Sequence, residues 1–310
     1  MLKYIIKRLL ALIPLIAGAM FVIFMLLHLS PGCPATFALG PDSTPAARWE
    51  WGEVHGLNDP VLIQYIRYMA GLFTGDFGNS FRNNVSITQE IMQRLPRTLG
   101  LSLAALTAAL LLALPIGIIA AVKKNTWIDG VSMFIALIGI SIPVFWLGLI
   151  LVRFFALHIG WWVGTPPWHI RYILFKLPVI TLGTAMMAAM IHSTRFSMLE
   201  VMRENYIRTA RAKGLSGGKI IRKHVLRNAL TPILEAFKVH FGTFFTGILV
   251  TETVFAWPGI GRLFLQGISA RDYPMVLGCL FIFIILFAVV KLIVDILQVF
   301  LDPRIKEQYK

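Results

Sequence analysis

Eight Lys and Arg residues fall within residues 200–230: Arg203, Arg208, Arg211, Lys213, Lys219, Arg222, Lys223 and Arg227. Two carboxylates, Glu200 and Glu204, share the stretch. The chain has 29 basic residues, so over a quarter of them lie in one short segment. Charge of this density suits recognition of an acidic partner, where it sets register and steers association. It does not suit bond-making chemistry. Gly218-Lys219 is followed by Ile220, and Lys213 stands five residues before Gly218, which excludes a phosphate-binding GxxxxGK[ST] loop. No HExxH occurs. Any nucleotide-driven process must therefore draw its hydrolysis from another chain.

The spacing inside 200–230 predicts local order. Residues 207–213 read as a helix with Ile207, Ala210 and Gly214 on one face and Arg208, Arg211 and Lys213 off it. Gly214 is the helix stop, because glycine takes positive φ without strain. Gly217 and Gly218 open a second turn, residues 220–230 resume a helix, and the next apolar span begins at Pro232. A basic loop resting on anionic lipid would explain the charge. It would not need three glycines, small alanines and two helix patterns, so a docking surface is the stronger reading.

The elements that hold this segment come from composition. The 310 residues are 57% hydrophobic and 14% charged, with a mean hydropathy of +0.75. A soluble domain carries about 25% charged residues, so the pattern is that of a polytopic membrane protein, and the net charge of +14 is not a nucleic-acid signal. About 20 apolar residues cross a bilayer as a helix. Six segments qualify: 9–29, 98–122, 131–157, 176–199, 231–256 and 276–300. The first is read as an uncleaved span, since its core exceeds that of a signal peptide. With a cytoplasmic N-terminus, the inner segments hold 16 Lys and Arg in 57 residues and the outer ones 8 in 105. Both termini and 200–230 are therefore expected inside. The predicted fold is an all-α polytopic membrane protein with six transmembrane helices, cytoplasmic termini and a helical external loop after the first span.

Three regions follow: 1–30, an N-terminal segment with the first span; 31–97, an extracytoplasmic loop region; and 98–306, the remaining five helices with the cytoplasmic loop 200–230. In the external loop, Asn58 or Asp59 is expected to cap a helix with Pro60 at its first position, and Leu62, Ile66, Met69 and Phe73 share one face of it.

ArgThrAlaArgAlaLysGlyLeuSer (208–216) and ArgAsnAlaLeuThrPro (227–232) resemble the cytoplasmic signature of integral-membrane permeases of ABC importers, in the oligopeptide, dipeptide and nickel branch. Further similar stretches are ProGlyCysProAla (31–35), LeuAsnAspProValLeuIleGlnTyr (57–65), GlyAspPheGlyAsnSerPhe (75–81), GluThrValPheAlaTrpProGlyIleGlyArg (252–262), ArgAspTyrPro (271–274) and AspProArgIle (302–305). Two departures stand out: Arg208-Thr209 replace the opening of the general importer signature, and Cys33 stands where the branch commonly has Asp.

The resemblance implies a permease subunit forming half of a translocation pathway for short peptides in a bacterial cytoplasmic (inner) membrane. It implies a second homologous permease, two ABC ATPases that use the ATP, and an extracytoplasmic binding protein that delivers cargo. It implies no catalysis by this chain, no bound cofactor or metal, and no nucleic acid. The coupling helix would lie in Arg208, Thr209, Ala210, Arg211, Ala212, Lys213, Gly214 and Leu215, with Arg227 and Asn228 beyond it. Nickel or a metallophore complex is the alternative cargo. An ion-coupled secondary transporter and a membrane enzyme are rivals from other classes; neither paired broken helices nor a catalytic cluster is visible.

Ionisable residues in spans are functional candidates by default. Lys291 and Asp295, four apart, are expected to pair. Glu252 is either ion-paired or part of an external gate with Trp257, Pro258 and Gly259, a turn placed at the outer interface. His28, His192 and His240, with Met186, Met187 and Met190, raise a metal contact, but Met fills helical interfaces readily and these spacings do not converge.

Overall fold

The computed structural model describes residues 2–30, 32–158 and 167–301, with side chains for 10–30, 32–155 and 175–301. Outside the described residues lie Pro31 of the 31–35 motif, residues 159–166 of the second external loop, and the whole 302–305 motif. The chain divides into two compact units, Met1–Thr98 with Ala256–Val290, and Leu99–Phe255 with Lys291–Lys310. Among the described residues the structure is helical, apart from a single bridge between Asn79 and Ser86.

The first unit opens with α1 (Leu2–Leu29), whose stretch Leu10–Leu29 is long and apolar enough to cross a membrane. Short helices α2 (Pro34–Leu39) and α3 (Pro45–Val54) follow, the latter capped by Thr44, whose Oγ1 accepts from Ala47 N at 3.2 Å. Next is α4 (Val61–Thr74). Its N-cap is Pro60, with no side-chain cap bond. Asn58 instead donates to Trp49 O and Glu53, while Asp59 pairs with Arg67.

The face shared by Leu62, Ile66, Met69 and Phe73 is turned mostly outward. Met69 is buried, but Leu62, Ile66 and Phe73 are exposed. Two tyrosines explain the rotation. Tyr65 donates to Ala17 O at 2.7 Å and Tyr68 to Pro274 O at 2.9 Å, so the face bearing phenol donors turns inward to reach backbone acceptors. Burial pushes the Tyr68 phenol well above its usual range, and Cys279 and Asp272 add to the shift. It therefore stays a donor.

α5 (Ile87–Val122) starts eleven residues before the expected span. Ile87 and Ile91, one turn apart, are fully buried, and beside them Glu90 pairs with Arg94 at 2.8 Å. The first unit closes with α12 (Ile260–Ser269) and the start of α13 (Tyr273–Leu301). Buried Asp272 caps α13, accepting from Met275 N, and also from Ser80 Oγ and Phe81 N of the external loop. Tyr273 donates to Leu27 O at 2.9 Å, and Arg271 to Ser30 Oγ. The loop 76–86 and the end of α1 are thus both tied to the head of α13.

In the second unit the third expected span is two helices, α6 (Trp127–Ser141) and α7 (Val144–His158), bent by 96° at the break. Ile142 is extended, with φ −81° and ψ 120°, because Pro143 disfavours a helical residue before it. Among the described residues five helices are long and apolar enough to span singly, and this bent pair is the sixth candidate. α8 (Pro167–Met202) packs against α6, α7 and the long helix α11 (Leu226–Val254). Small residues allow close approach, as membrane helix packing requires: a Cβ on Gly117 would lie 2.7 Å from Thr194 Cβ and 2.9 Å from Ile191 O.

Charges inside the second unit are paired. Arg195 grips Asp129 through Nε and Nη2 at 2.5 and 2.8 Å, linking α8 to α6. Lys238 on α11 reaches Asp295 on α13 at 3.0 Å, so Asp295 has a partner across helices. Gln298 joins this cluster through Lys238 and Glu235.

Candidate functional site

After α8 the chain turns at Arg203 and Glu204 into α9 (Asn205–Ala212). Ile207 and Ala210 are buried, as the one-face reading requires. The helix ends in a Schellman turn. Gly214 N donates to Arg211 O at 2.9 Å and Leu215 N to Ala210 O at 3.4 Å, with Gly214 at φ +76°. This is the stop expected at Gly214. Gly214 itself is exposed, and a Cβ there would meet nothing within 4 Å, so its role is conformational rather than one of close packing.

The second half differs from expectation. α10 (Gly217–Lys219) leads into a π turn, Ile220–Val225, which leads directly into α11. No break separates this helix from the span, and Pro232 lies inside α11. The span is thus a rigid extension of the loop's second helix. Buried Ile220, Val225 and Ala229 seat it, and Asn228 Nδ2 ties it to α9 by donating to Tyr206 Oη at 3.0 Å and to His224 O at 2.9 Å. That tie had no sequence signal beyond two polar side chains 22 residues apart.

All eight basic side chains of 200–230 are exposed, as are Glu200 and Glu204. Thr209 and Ala212 are exposed and Leu215 is half-buried, while Arg227 and Asn228 lie exposed on the first turns of α11. The structure thus brings Arg208, Thr209, Arg211, Ala212, Lys213 and Gly214 onto one outward-facing helix and turn. Gly217 and Gly218 have no neighbour within 4 Å of an added Cβ and no positive φ, so nothing inside this chain requires glycine there.

The second candidate set is divided between the units. Glu252 is fully buried on α11. Trp257, Pro258 and Gly259 form the turn before α12, where Trp257 Nε1 donates to Arg97 O at 3.2 Å and Ile260 N to Thr98 Oγ1 at 2.8 Å. Ala256 sits at φ +51°, its carbonyl accepting from Arg262 at 2.7 Å.

Two of the three singled-out histidines, His28 and His240, have local partners. His28 contacts Phe24 O and Gln64 Oε1, and His240 contacts Ser193 Oγ at 3.0 Å. Met186 and Met190 are buried packing residues. Among the described residues no group of three His, Cys, Asp or Glu could hold a metal.

A helical membrane domain with a charged helix-turn-helix at one end of a span defines a transport component. The chain belongs to the family of inner membrane components of binding-protein-dependent transport systems, whose profile matches residues 113–307; that of the N-terminal part of such membrane components matches 1–102. Among its relatives is the dipeptide transport system permease protein DppB of Alkalihalophilus pseudofirmus, 40% identical over 99% of this chain and 100% of that one. The oligopeptide transport system permease protein AppB of Bacillus subtilis is 38% identical over 99% and 100%. In fold, the chain resembles a subunit of the inward-facing MetNI methionine ABC transporter, with a TM-score of 0.54 and 19% identity over 68% of this chain and 95% of that one.

Proposed function

We propose that this chain is one of two permease subunits of an ATP-driven importer of short peptides. Cargo comes from an extracytoplasmic binding protein, and two separate ATPase chains hydrolyse the ATP. The chain itself holds no cofactor and performs no covalent step. Residues 200–230 dock into an ATPase groove, with both termini on the same cytoplasmic side. One observation carries this reading: the loop is ordered by its own buried residues while its eight cations and three glycines all face outward. Exposed guanidinium and ammonium groups complement an acidic rim, and bare glycines let a partner backbone approach. Because the loop's second helix continues into α11, a displacement at the ATPase passes to the span as a rigid-body movement.

The direct test is reconstitution in liposomes with the second permease, the ATPases and the binding protein. Uptake of a labelled dipeptide should require ATP. Uptake that persists without ATP overturns the proposal.

A further inference from the structure

The first unit contains a cavity of about 470 Å³, and every residue lining it belongs to that unit. Its size lies in the range of small-molecule sites, about 300–1,000 Å³. Two stretches to which no role has been given meet there. Leu57 and Gln64 come from the 57–65 motif, and Asp76 through Phe81 from the 75–81 motif.

The lining holds opposite charges, and glycines make room for the Arg67 guanidinium and for the backbone of Asp76. A Cβ on Gly56, at φ +66°, would collide with the Arg67 guanidinium. A Cβ on Gly71 would lie 2.7 Å from the Asp76 carbonyl oxygen. Arg67 is steadied by Asp59 through Nη2 at 2.7 Å, which engages one corner of a five-donor fork. Asp76 Oδ1 accepts from Gly78 N at 2.9 Å, which orients its carboxylate. The lining also holds the neutral amides Asn79 and Asn84, linked at 3.2 Å. An aromatic wall is built by His55, which stacks on Trp51 at 3.9 Å and meets the edge of Phe81 at 5.4 Å.

We propose that this cavity binds a free short peptide as a zwitterion, Arg67 taking its carboxylate, Asp76 its ammonium group and the aromatic wall a side chain. The idea rests on the peptide reading above and adds a site on the permease itself, within the first unit. A guanidinium matches a carboxylate bidentately, and a carboxylate accepts from an ammonium in a charge-assisted bond. Asn side chains carry both a donor and an acceptor, as a peptide bond does.

The test is equilibrium dialysis of radiolabelled alanyl-phenylalanine against the full permease–ATPase complex in nanodiscs, without binding protein or nucleotide. Saturable binding is expected, weaker by about tenfold in Arg67→Ala and in Asp76→Asn, as loss of a charge-assisted contact implies. The N-acetylated, C-amidated dipeptide should compete poorly. Arg67 and Asp59 are 60% and 41% exposed, so their pair contributes little to stability and Arg67→Ala should fold. Absent binding, equal binding in both variants, or equal competition by the blocked peptide overturns the site. If ATP-driven dipeptide import is intact in that case, the site alone fails. A complex that neither imports nor binds the dipeptide overturns the peptide reading with it.

Discussion

Gly214 carries more of the loop's geometry than any of its eight cations. Its φ of +76° closes the Schellman turn, and an alanine there would cost roughly 1–2 kcal/mol of left-handed strain. Gly214→Pro is harsher, since it removes the N–H that bonds Arg211 O. In reconstituted vesicles we expect Gly214→Pro to lower uptake well beyond its effect on ATP turnover; an unchanged uptake-to-ATP ratio would contradict the docking role. This residue was legible in the sequence because positive φ is an intrinsic preference of glycine. The Asp129–Arg195 pair was not, since the partners lie 66 residues apart and only tertiary packing brings them together. Asp129 is buried and Arg195 mostly so. Removing one member of such a pair strands the other, so Asp129→Ala should lower stability by about 3 kcal/mol, and adding Arg195→Met should recover part of it. Thermal unfolding in detergent measures both; additive losses would show the pair to be uncoupled.

At the scale of elements, the apolar lengths found the spans, but not where each begins or bends. A uniformly apolar run has no polar face to mark its ends, so the early start of α5 was set by Ile87 and Ile91 burying beyond the span. The third span breaks by 96° where Ile142 goes extended before Pro143. The pattern of α4 placed four apolar residues on one face without saying which way that face turns; tyrosine-to-carbonyl bonds fix the rotation. Sidedness is testable with a residue already present. Cys33 is exposed and Cys279 buried. A membrane-impermeant maleimide should label wild-type spheroplasts once, at Cys33, from outside. In a Cys33→Ser background, Arg222→Cys should label only after permeabilisation. The reverse pattern would invert the topology.

For the whole molecule, the central claim is that a chain without a phosphate loop is driven by one that has it. The exposed loop, the unbroken helix from Ile220 into α11 and the membership of the transport family all bear on that link. The cargo was not legible in the loop, which contributes no residue to the cavity of the first unit. The decisive measurement is uptake and ATP hydrolysis recorded in parallel for the wild type and the Arg211→Glu/Lys213→Glu variant, whose side chains are exposed and make no fold-defining contact. Dipeptide uptake should fall at least about tenfold while the complex remains in the membrane, as like charges meet an acidic groove. Wild-type uptake at a wild-type ratio to ATP hydrolysed would contradict the account.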